Sequence, residues 1–84
     1  MRIVDKTEIK QIADFLNDVY EGLCEGDEEA AMRLRLTELY RVIKRLMDAT
    51  FAAQDQDLKV LLASLEYGAR QYKQQIEERL GVRN

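Results

Sequence analysis

The 84-residue chain contains no histidine, proline or tryptophan, a single cysteine and only four glycines. Without histidine there is no Cys-His or Ser-His nucleophile pair, no helical Glu-x-x-His metal motif and little scope for a zinc site. One cysteine cannot close an internal disulfide, so nothing marks the chain for an oxidising compartment. No run of about 18 apolar residues offers a membrane span, and no charged-then-apolar leader opens the sequence. By these absences the expectation is a cytoplasmic protein with no membrane partner. No glycine-rich phosphate loop is present.

The residues that are plentiful, Ala, Leu, Glu, Gln, Lys and Arg, are those that cost least in a helix. An apolar fraction of 46% and a charged fraction of 35% belong to a folded helical chain, not a disordered one. Residues 1–84 are expected to form a single helical domain near the lower size limit for independent folding. So small a core has little stability to spare, which makes self-association or a partner an expectation. The net charge of −3 is unevenly spread: residues 1–31 hold nine acidic and three basic residues, whereas residues 32–46 hold five basic residues against Glu38 alone.

Hydrophobic periodicity predicts three helices, at about 6–24, 28–54 and 57–80. The first starts at a capping-box spacing, Asp5 with Glu8, and Val4 and Ile9 sit at the positions of a hydrophobic staple. Its apolar face is Ile9, Ile12, Ala13, Leu16, Val19, Tyr20 and Leu23, with Gly26 the expected left-handed cap and Gly22 a competing earlier stop. Asp27, Glu28 and Glu29 open the second helix at the positive end of its dipole. Its seam runs Met32, Leu36, Leu39, Ile43, Leu46, Thr50 and Ala53, widened by Val42 on one flank and by Tyr40, Met47 and Phe51 on the other. So broad an arc predicts two neighbours and a central place for this helix.

The third helix has a core face of Leu58, Leu61, Leu62, Leu65, Ala69, Tyr72, Ile76 and Leu80, followed by Gly81 and a Schellman-type stop that brings Val82 back towards Ile76. Gly68, at the edge of that face, costs about 1 kcal/mol of helix propensity and suggests close approach of another helix. Between the second and third helices lies QDQD, residues 54–57. A slip in the phase of the apolar seam there favours a turn with Asp55 or Asp57 as N-cap. The competing reading is one continuous helix over 28–80 with the slip absorbed as a stutter. The fold expected is an all-α, three-helix antiparallel bundle that self-associates through helix three.

Nothing in the chain carries chemistry. Cys24 sits at the margin of an apolar face beside Glu25, the opposite of the electropositive setting of reactive cysteines, and is expected half-buried. EGDEE, residues 25–29, lacks the alternating ligands and distant glutamate of a calcium loop, and capping explains both it and DQD at 55–57. No catalytic residue, cofactor or metal ligand is assigned, and the chain is not expected to be an enzyme.

Two surfaces remain. The basic block places Arg33, Arg41, Lys44 and Arg45 on the outer half of helix two, with Arg35 on the opposite flank. They could contact phosphate, or acidic residues of helix one or of a partner. No aromatic residue interleaves them, and Leu34 and Ala52 share the outward face. On helix three, opposite the core face, lie Val60, Ala63, Ser64, Tyr67, Gln71 and Gln74. The positions 60, 64, 67, 71 and 74 repeat in steps of four and three, the spacing of a helix–helix seam, and no charge interrupts them. Charge depletion around an aromatic anchor is the composition of an interface core. The leading expectation is therefore a small interaction or regulatory protein that binds another protein and forms a homodimer through helix three. The alternatives are a nucleic-acid-associated regulator using the basic face of helix two, and an acidic decoy presenting Asp14, Asp18, Glu21, Glu25 and Glu28 to a nucleic-acid-binding protein.

Overall fold

The structure is a computed structural model that describes residues 4–81. The expected role of Val82 lies outside the described residues. Three helices follow one another, α1 (Lys6–Glu25), α2 (Glu29–Ala52) and α3 (Gln56–Leu80), with no strand among the described residues. The molecule measures 39 × 25 × 17 Å, and its long dimension is about the length of one 25-residue helix at ~1.5 Å per residue.

Each helix start and stop has a local cause. Asp5 caps α1 by accepting the Glu8 backbone N–H at 2.8 Å, and buried Val4 closes the staple with partly buried Ile9. Gly26 ends α1 in the left-handed conformation, φ 76°, and the N–H groups of Gly26 and Asp27 both donate to the Gly22 carbonyl. Gly22 lies inside the helix instead of stopping it. It is buried where a Cβ would collide with the Asp27 carboxylate. The N-cap of α2, Glu28, makes no side-chain cap bond, and the Asp27 carboxylate goes instead to Arg35 at 3.3 Å. Between α2 and α3 the chain turns, and Asp55 caps α3 through the Asp57 N–H at 3.0 Å. The phase slip at residues 54–57 is thus a turn and not a stutter.

One apolar cluster holds the fold. Its fully buried large side chains are Val19 of α1, Leu39 and Leu46 of α2, and Leu62 and Ile76 of α3. Each removes from water a side chain worth about 1.5–3 kcal/mol. α2 and α3 pack most closely, and α1 lies more against α3 than against α2. This corrects the central place expected for α2. The reason is visible at the α1–α2 boundary, which long side chains bridge: Arg45 grips Glu8 through Nε and a terminal guanidinium nitrogen at 2.6 and 2.9 Å, and Arg35 reaches Asp27.

The helical faces need several corrections. Ala13 is exposed and Tyr20 is half exposed, while Phe15, unassigned by periodicity, packs on the core. On α3, Leu61 is also largely outside. Tyr40, Met47 and Phe51, counted as a widening of the α2 stripe, are half or more exposed. They broaden the apolar arc without meeting a second neighbour. Gly68 has open space where a Cβ would stand, with no atom within 4 Å, so no helix approaches closely there.

Two glycines therefore behave oppositely on replacement. Gly68→Ala is expected to raise the unfolding free energy by up to about 1 kcal/mol, the propensity difference in a helix interior. Gly26→Ala is expected to lower it by about 1 kcal/mol through left-handed strain. Urea unfolding of the two variants beside the parent checks both signs.

Candidate protein-interaction surface

The outward face of α3 is built by helical spacing alone. Val60 is 56% and Tyr67 63% exposed, and Ala63, Ser64, Gln71 and Gln74 are all exposed around them. Val60, Ala63, Ser64 and Tyr67 together line a shallow, open depression. The Ser64 hydroxyl donates to the Val60 carbonyl at 2.9 Å, so its polarity is satisfied within the helix and the depression presents mainly carbon. At the lower end the Gln74 amide donates to Glu78 at 3.3 Å.

Beside this face runs a polar network absent from the expectations. Glu77 is only 6% exposed. It accepts from Lys73 Nζ at 3.0 Å and from the Tyr40 hydroxyl of α2 at 3.0 Å. Lys73 also stands 5.2 Å from the Tyr40 ring centroid, a cation–π distance. Next along the seam, the Arg70 guanidinium donates to Met47 Sδ at 3.2 Å and to Glu66 at 2.8 Å. The hydrogen bond from Lys73 and then that from Tyr40 hold the Glu77 carboxyl below its ordinary range against the opposing effect of burial. The same bond to Glu77 raises the Tyr40 phenol. Among the described residues, no buried side-chain nitrogen or oxygen lacks a hydrogen-bond partner.

The basic block is distributed over several jobs. Arg45 is turned towards α1 and Glu8, and that carboxylate is the main reason its pKa is raised. Arg33 pairs with Glu29 one turn away at 2.7 Å, and Arg35 with Asp27. Arg41 and Lys44 are exposed and have no hydrogen-bond or ion-pair partner among the described residues. Cys24, expected half-buried, is exposed. Tyr20, one turn earlier, has its phenol raised by a hydrogen bond with that thiol, and its ring lies 6.1 Å from Tyr72 of α3.

Among the described residues no three His, Cys, Asp or Glu side chains gather as they would to hold a metal ion, and no helix is long and apolar enough to cross a membrane. No protein-family model, curated protein or solved structure matches the chain.

The Tyr40–Glu77–Lys73 network eluded the sequence because Tyr40 and Glu77 are 37 residues apart on different helices. Its sequence signals were a tyrosine on the flank of an apolar seam and the four-residue spacing of Lys73 and Glu77. A depressed carboxyl contributes stability above its unfolded value, about 4.3, and that contribution is lost as pH falls through the lower folded value. Glu77→Gln is therefore expected to lower the thermal midpoint at pH 7 and to bring variant and parent together at pH 2–3. Parallel melts at the two pH values check this.

Proposed function

We propose that this chain is a non-enzymatic helical interaction protein. It works by binding protein, as a homodimer, through the outward face of α3. The observation that carries the reading is the uncharged strip of Val60, Ala63, Ser64, Tyr67, Gln71 and Gln74, with a valine and a tyrosine more than half exposed on it. Monomeric surfaces tolerate scattered apolar residues. Here they recur at seam spacing on one helix and line a common depression. Tyrosine suits the role because it combines apolar area with a hydroxyl that accepts partial exposure.

The scaffold proposed is an antiparallel three-helix bundle. Two cross-helix pairs support this: Tyr40 with Glu77, and Met47 with Arg70. Seven residues forward on α2 correspond to seven residues back on α3. A nucleic-acid role for Arg33, Arg41, Lys44 and Arg45 draws less support, because Arg33 and Arg45 are engaged by carboxylates of this chain and phosphate binding needs several free cations on one strip.

The double variant Val60→Glu and Tyr67→Glu is expected to convert a dimer into a monomer while leaving the helical circular dichroism unchanged, since both side chains lie outside the core. Light scattering coupled to size exclusion reads the mass. A double variant that stays dimeric removes this face from the interface.

A further inference from the structure

Two flanks of α2 have different fates. Measured from the midpoint of Leu39 and Leu46 at about 100° per residue, Arg45 lies about 110° round one way, and Tyr40, Met47 and Phe51 lie about 90–130° round the other. Arg45 meets α1. The second flank meets α3 only along its edge, through Tyr40 with Glu77 and Met47 with Arg70. On α3, likewise, Tyr72 turns to Tyr20 of α1, whereas Arg70, Lys73 and Glu77 turn to the α2 flank. The α2–α3 pair is thus covered by α1 on one side and bare on the other.

The bare side is continuous with the outward face of α3. From Arg70 the surface of α3 continues round through Ala63 and Gln74 to Tyr67 and Val60. The register set by the two cross-helix pairs puts Phe51 level with Glu66, between Ala63 and Tyr67 in sequence. Phe51 is 80% exposed, more than any other large apolar side chain described. Tyr40 at one end of this surface is fixed by a hydrogen bond and a cation–π contact. It loses little freedom when covered.

We infer that the dimer is formed by the whole bare side of the α2–α3 pair, with Phe51 as its central anchor, packed against the same side of a second copy. The inference rests on the self-association proposed above and changes its width and its centre. Area decides the width. A stable interface takes about 800 Å² from each partner. Val60 and Tyr67 on a strip one helix wide fall well short of that. Tyr40, Phe51 and Tyr67 together leave roughly 400 Å² of aromatic surface uncovered, at about 200 Å² per side chain, and half-exposed Met47 and Val60 and the stems of Lys44, Lys59 and Arg70 supply more.

Charge favours a second copy as the occupant. Glu66 pairs with Arg70 and Glu77 with Lys73 inside the surface, while Lys44 and Asp48 stand exposed at its edge. A surface of mixed sign can face itself across a two-fold axis without one-sided repulsion. The result is a four-helix layer of two α2–α3 pairs, with an α1 on each outer side.

The test compares Phe51→Glu and Phe51→Ala with Leu34→Glu, all at exposed apolar positions, Leu34 being 63% exposed on a different face of α2. Sedimentation equilibrium of the full chain gives the dimer dissociation constant, and circular dichroism confirms the helix content. Loss of a central anchor raises that constant on the order of a hundredfold for Phe51→Glu, and on the order of tenfold or more for Phe51→Ala. Leu34→Glu leaves it unchanged. A parent dimer that tolerates both Phe51 variants overturns the inference and leaves the narrower α3 interface standing. A parent chain that is monomeric at every concentration overturns both.

Discussion

Leu39 and Leu46 of α2 and Leu62, Ala69 and Ile76 of α3 lie in one buried cluster at 0–1% exposure, and the rest of the structure is arranged around that seam. Because α2 and α3 meet along their full length, the direction of every other side chain on them is set. One flank is aimed at α1, one at the ion-paired edge, and one at open water. α1 adds Val19, Leu16 and Leu23 to the cluster but takes only one side of the pair. The polar clasps Glu8–Arg45 and Asp27–Arg35 tie it to α2 where apolar contact is thin. These partly shielded pairs, the first bidentate and the second a single bond, fix orientation more than they add stability.

That asymmetry has an energetic consequence. A chain of 84 residues buries a modest fraction of its unfolded surface, yet this one leaves a phenylalanine, two tyrosines, a methionine and a valine about half or more exposed on the uncovered side of its main helix pair. Covering them supplies apolar burial at roughly 25 cal/mol per Å² with little further ordering cost, since the helices that carry them are already folded. The same reasoning accounts for Glu77. A buried carboxylate with two donors holds the edge of the exposed surface in a fixed shape, as a fully satisfied polar network does.

Local features were legible in the sequence. The Asp5 cap, the Gly26 stop and the turn at Asp55 depend on residues within four positions of one another, and spacing alone reveals them. The outward α3 strip was legible for the same reason, since a helix fixes its own faces. Periodicity failed where a neighbour had to be known. It marked Tyr40, Met47 and Phe51 as apolar but had no means of telling whether anything covers them, and so placed α2 at the centre. It left Glu77 unassigned because Tyr40 lies 37 residues away, and it offered helix-one carboxylates for the basic block, as Arg45 meets Glu8, without telling which cation would find one. Gly68 was given a packing role by its cost in a helix, where the structure has only space.

The function proposed for this chain is carried by its surface and not by any reactive group, so its central claim concerns mass. The most direct measurement is the molar mass of the unmodified chain by sedimentation equilibrium over a wide concentration range. The account predicts twice 9.8 kDa at the upper end, with dissociation on dilution. A constant 9.8 kDa throughout would contradict it.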